Sequence, residues 1–187
     1  MSTNRLTAIV AALACSSLLP AAAGAELPSK PVLTLEAARR VGSAAYAEAM
    51  KRGATVVIVV VDDGGHVVFL ERLNDTQVAS VDVGIGKART AAIFRRPSKV
   101  FEDQIRDGRV AALALPGATP LQGGVPLEVN GRVIGAIGVS GNTPQEDEDI
   151  AKAGAAALLP AVGTTDGGPG VAYCNSPEVN EALRKGS

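Results

Sequence analysis

Between Ala54 and Val61 the chain carries an unbroken run of Val and Ile residues. A stretch this short and this β-branched suits a strand covered on both faces. It runs straight into Asp62-Asp63-Gly64-Gly65, which is turn chemistry, and His66 to Arg72 then reads as the returning strand. A second hairpin is clearer still. Pro126 to Val129 and Arg132 to Val139 flank Asn130-Gly131, a dipeptide suited to a type I′ turn because both of its positions need positive φ.

Helices are expected around these hairpins. Thr34 caps the first, with Glu36 in its opening turn. Leu35, Ala38, Val41, Ala45 and Ala49 give that helix one apolar face, and Gly53 ends it after Lys51 and Arg52. Between the hairpins, Val78, Val81, Ile85, Ala88 and Ala92 form a stripe that reaches about Phe94. Beyond Pro97, Ser98 is placed to cap a shorter helix bearing Phe101 and Ile105, and Ala111 to Leu115 suggests a short strand. The last helix opens on Thr143-Pro144-Gln145-Glu146, a capping box with proline at the first helical position. Asp147, Glu148 and Asp149 suit its positive end, and Ile150, Gly154 and Leu158 continue its buried side.

The order is therefore α-β-β-α-α-β-β-α. Hairpins separated by helices predict an α/β protein of the α+β kind, with one antiparallel sheet built from two hairpins and flanked by helices. At 187 residues the chain is long enough to bury a core without disulfide staples. That core is Ala, Val, Leu and Ile, because 47% of the residues are hydrophobic but only 3% aromatic. With a net charge of -1 and no Lys/Arg-rich block, nucleic acid is not an expected partner.

The N-terminus has the order of an export signal. Arg5 supplies the positive start, Leu6 to Leu19 is an apolar run too short to span a bilayer comfortably, and Ala23-Gly24-Ala25 is an A-x-A site after Pro20. The expected organisation is a signal peptide over 1–25, a linker over 26–32, one domain over 33–159 and a Gly/Pro-rich tail over 160–187. Cleavage near Ala25 predicts a soluble periplasmic or secreted product without a membrane span. It would also remove Cys15 and leave Cys174 alone in the tail, with no partner for an intramolecular disulfide.

Several of these segments together resemble a known family. They are Val60-Val61-Asp62-Asp63-Gly64-Gly65-His66, Gly86-Lys87-Ala88-Arg89-Thr90-Ala91-Ala92, Gly123-Gly124-Val125-Pro126, Gly135 to Gly141 and Asp147 to Ile150. The combination is similar to the GlcG/HbpS-like family, whose domain also occurs at the C-terminus of PduO-type corrinoid adenosyltransferases, and it covers roughly Leu33 to Leu159. The resemblance implies a profilin-like antiparallel sheet between helices, often a symmetric homo-oligomer, and haem binding in some members.

Beside that resemblance the residues have their own reading. His66, the single histidine, reads first as an exposed hairpin residue, and is also the strongest available nitrogen ligand for haem iron. Lys87 and Thr90, three apart on one helix, could hold carboxylates such as haem propionates, or form an ordinary helix face. Arg89, Arg95 and Arg96 are further cations, the last two placed to suit a helix end. Gly123, Gly124 and Ser140 could admit a ligand to bare backbone; Gly135 and Gly138 read as packing positions. Gly84-Ile85-Gly86-Lys87 is no phosphate loop, since Val81 and Ala88 stand where the motif needs Gly and Ser/Thr. A zinc site and a Ser-His-Asp set lack their residues. The expected function is thus binding of haem or a related tetrapyrrole in a pocket between the central helix and the second hairpin. An enzyme or accessory protein acting on a small organic acid, and an oligomeric scaffold, are the alternatives.

Overall fold

The computed structural model describes residues 29–158. The expected signal peptide, residues 26–28 of the linker and the tail with Cys174 lie outside the described residues.

Helix α1 spans Leu35–Arg52. The Thr34 hydroxyl accepts the Ala37 N–H at 3.2 Å, and Gly53 closes the far end at φ 64°, returning its N–H to the Ala49 and Met50 carbonyls. Ala38, Val41, Ala45 and Ala49 are fully buried, but Leu35, expected on the same face, is 47% exposed. Strands β1 (Val57–Asp62) and β2 (Val67–Arg72) form the first hairpin, and β3 (Gly124–Val129) and β4 (Arg132–Ser140) the second. The first strand begins at Val57, shortly after Ala54, whose N–H goes to the Ala49 carbonyl of the helix end. Asn130 and Gly131, at φ 51° and 73°, make the tight turn as expected.

The hairpins join into one antiparallel sheet in the order β2-β1-β4-β3. The two most apolar strands take the centre. The edges fall to β2, which carries Glu71 and Arg72, and to β3, which carries Pro126, a residue unable to donate to a further strand. Alternation along β1 then divides the core. Ile58 and Val60 pack with α1 and with α4 (Pro144–Ala156) on one face, while Val57, Val59 and Val61 meet α2 (Ser80–Phe94) on the other.

On that second face α2 lies very close to the sheet. A Cβ on Gly84 would sit 2.8 Å from Val57 Cγ1, and one on Gly138 would strike the Gly84 carbonyl and sit 2.5 Å from the Ala88 nitrogen. Both glycines are therefore packing positions. Val78 is 78% exposed and precedes α2, so it does not join the predicted stripe.

Two expectations between the hairpins need correction. Ala111 to Leu115 is not a strand; Val110–Ala114 forms a 3-10 helix, with the Ala112 N–H donating to Arg109. Ser98 precedes α3 (Lys99–Arg106) but makes no side-chain cap, because its backbone is already helical. Its hydroxyl instead donates to the Leu121 carbonyl and accepts the Gly124 N–H at 2.8 Å. The capping box of α4 forms, with Thr143 and Glu146 exchanging their bonds. Among the described residues no helix is long and apolar enough to cross a membrane.

Candidate functional site

Lys87, Gly123, Gly124 and Ser140 are brought together as the sequence suggested, in a polar seam where α2, the loop before β3, the end of β4 and the start of α4 meet. The Lys87 ammonium donates to the Val139 carbonyl at 3.0 Å and to Asp147 Oδ2 at 2.7 Å. Asp147 also accepts the N–H groups of Asn142, at 3.0 Å, and Gly141. Burial pushes its carboxyl above the usual range, and the hydrogen bond and charge of Lys87 only partly oppose that. One residue before Gly123, the Gln122 amide reaches Glu148 and Gln145 of α4, while its backbone N–H donates to Glu102 of α3.

This seam is closed within the single chain. Lys87, Ser140, Asp147 and Glu148 are buried. The bare backbone admits the protein's own atoms: a Cβ on Gly123 would lie 3.0 Å from Lys87 Nζ, and one on Gly124 would strike the Lys87 carbonyl. Thr90, also buried, donates from its hydroxyl to the Gly86 carbonyl and accepts the Thr119 N–H, both at 2.7 Å. It fastens the 116–124 loop to α2, over Gly86, where the Thr119 side chain fills the place a Cβ would occupy. The expected recess between the central helix and the second hairpin is therefore filled by Lys87, Asp147 and Thr119 themselves.

His66 stands apart, at the tip of the first hairpin. Its side chain is 81% exposed, and Nδ1 lies 3.4 Å from Asp62 Oδ1, so Nε2 occupies the far edge of the ring. The same Asp62 oxygen accepts the Gly64 and His66 N–H groups, each at 2.9 Å. Partial burial pushes the Asp62 carboxyl up, but those two N–H groups and the nearby imidazole together outweigh it and hold the group below the usual carboxylate range. Gly65, at φ 82°, lets the hairpin tip settle onto α2: a Cβ there would meet Arg89 Cγ at 2.7 Å and Ile93 Cγ2 at 3.3 Å. The exposed Arg89 guanidinium has no ion-pair partner among the described residues, and Ile93 and Gly117 continue the same surface. Near the first turn the chain thus exposes an imidazole beside Asp62 and a guanidinium whose stem packs against Gly65.

Sequence reasoning missed two partnerships. Asp147 reads locally as a helix-start acid; that it meets Lys87, 60 residues earlier, has no local signal. Arg89 reads as one more helix cation, and only the Gly64-Gly65 pair could have hinted that something approaches the turn closely.

Comparison with known proteins agrees with this architecture. The family model of haem-degrading HbpS-like proteins matches residues 33–156. Protein GlcG of Escherichia coli K12 is 42% identical over 114 residues, which is 61% of this chain and 85% of GlcG. A crystal structure of a double mutant of Streptomyces reticuli HbpS superposes with a TM-score of 0.67 at 32% identity, covering 83% of this chain and 99% of HbpS. That of a PduOC–haem complex superposes with a TM-score of 0.63 at 25% identity, over 68% of this chain and 95% of PduOC. A family match running from the residue before the Thr34 cap to the last residue of α4, on a fold shared with HbpS, means that the chain belongs to the HbpS-like family.

Proposed function

We propose that the protein is exported and binds haem or a related tetrapyrrole, with His66 as iron ligand. The observation that carries this reading is the exposed His66 ring facing Asp62. An imidazole whose Nδ1 faces a carboxylate has its ring turned and its other nitrogen made the better donor, the usual arrangement behind a metal-bound histidine. Arg89, whose stem packs against the adjacent Gly65, would supply a fixed-charge partner for a propionate, and Ile93, against the same glycine, an apolar contact. Haem would supply the iron centre; the chain orients the imidazole, holds the carboxylate and places the apolar wall. That relatives include HbpS and a domain solved as a haem complex supports the same ligand class.

A ligand this exposed leaves much of a tetrapyrrole in water, which favours a site completed by a second chain. Strand β2 supports assembly: it is a sheet edge, and Val67 and Leu70 are 47% and 39% exposed. Export rests on the sequence of Arg5, the apolar run to Leu19 and Ala23-Gly24-Ala25.

Haemin titration of the mature protein tests the reading. A saturable Soret change at about one haem per chain is expected, lost in His66→Ala. Arg89→Ala should weaken binding without moving the band, since it leaves the iron ligand in place. No Soret change, with thermal protection by a small carboxylic acid, would favour the organic-acid alternative instead. Mass analysis of the exported form should give a chain beginning at Glu26, and sizing should give an oligomer.

A further inference from the structure

At the opposite end of β2 from His66 lies a cleft of about 450 Å3, within the range of small-ligand sites, between the C-terminal half of α1 and the end of the strand. Its walls include Tyr46, Met50 and Leu73, and its polar residues include Glu71 and Arg72. Tyr46 and Met50, four apart on α1, are 39% and 56% exposed, so an aromatic ring and a thioether lie open side by side.

Two charged residues line the cleft, Glu71 and Arg72, and they belong to opposite faces of the sheet. Glu71 is half-buried and has neither an ion pair nor a hydrogen bond through its carboxylate among the described residues. It pairs in register with Ile58, which packs with α1, so its side chain belongs to the α1 face of the sheet. The neighbouring cation does not answer it: Arg72 pairs with Val57, on the opposite face, and its guanidinium donates to the Thr76 carbonyl at 3.0 Å. Lys51 and Arg52 are also engaged, both with Glu48, and Arg52 with Asp149 as well. Helix α1 ends at Gly53 on the rim, adding the negative pole of an 18-residue helix. The Tyr46 ring offers a face that attracts cations.

We propose that this cleft binds a small organic ammonium compound, its charge held by Glu71 against the Tyr46 ring and its apolar arm laid along Met50 and Leu73. The site is separate from His66, so its failure leaves the haem reading standing.

The test uses phenethylammonium as probe on the full-length protein without haem. The ε-methyl signal of Met50, one of two methionines, reports the cleft directly. A saturable shift of that signal is expected with phenethylammonium and none with phenylacetate, which has the same ring but the opposite charge. Glu71→Gln should weaken binding about tenfold, the worth of one charge-assisted hydrogen bond. Tyr46→Leu, a change on an exposed helix face, should weaken it several-fold and guards against a Glu71 variant that folds poorly. No shift at millimolar probe, equal binding of phenylacetate, or unchanged affinity in both variants would each overturn the proposal.

Discussion

The Lys87 ammonium lies 2.7 Å from Asp147 Oδ2, and both side chains are at least 95% buried. The pair joins the helix on one face of the sheet to the start of the helix on the other, and it fills the place where the sequence suggested an open recess. Removing the cation from such a pair leaves a buried carboxylate with only N–H partners. Lys87→Met, which keeps most of the volume, should therefore destabilise the fold by about 3–5 kcal/mol at neutral pH. Urea denaturation followed by circular dichroism measures it, and a loss below ~1 kcal/mol would show that the pair contributes little.

The pH dependence follows from the direction of the Asp147 shift. Burial, named first among its causes, raises the folded-state value above the unfolded one. Between those two values the folded chain holds more protons than the unfolded chain, so this group's contribution to stability falls as pH rises. It is fully present below the usual carboxylate range and is lost as pH passes through the raised value. Asp147→Asn should flatten that part of the stability curve. The cost of Lys87→Met should shrink in acid, because a protonated Asp147 needs no counter-charge. A Lys87→Met deficit that is constant from acid to neutral pH would contradict this assignment.

What was legible in the sequence was local. The Val/Ile run, the Asn130-Gly131 turn, the Gly53 stop and the Thr143 capping box each act within a few residues, and each forms. Ser98 and the Ala111–Leu115 segment were misread because their conformations are set by distant partners and by a short apolar sequence that fits either period. The convergence of Lys87 with Gly123 and Ser140 followed from motifs, but whether the space between them is open depends on side-chain volumes contributed by Asp147 and Thr119. The pairing of Arg89 with the His66 turn needed the helix and hairpin docked against each other, which no periodicity specifies.

Gly138 tests how tightly α2 sits on the sheet. An added methyl would meet two backbone groups of that helix, the Gly84 carbonyl and the Ala88 nitrogen, neither of which can rotate away. The usual gain from replacing glycine by alanine, about 0.4–1 kcal/mol through the unfolded chain, is too small to offset this. Gly138→Ala should cost a net ~1–3 kcal/mol, seen as a lower melting temperature, as overpacked positions do. An unchanged melting temperature would mean that helix and sheet separate more readily than their packing implies.

Asp62 makes two contributions at the hairpin tip, and two substitutions separate them. Its Oδ1 accepts the Gly64 and His66 N–H groups, which shapes the turn, and it faces Nδ1 of the imidazole, which orients the ring. Asparagine can keep the first role through its carbonyl oxygen but loses the negative charge of the second; alanine loses both. Because outer partners of metal ligands typically matter by about 10–100-fold in affinity, Asp62→Ala should weaken haemin binding by that order, with the histidine-dependent Soret position preserved. Asp62→Asn should fall between it and the unaltered protein. If both variants bound haemin as well as the unaltered chain, the carboxylate would be a turn former alone, and the 3.4 Å approach of His66 would carry no functional meaning.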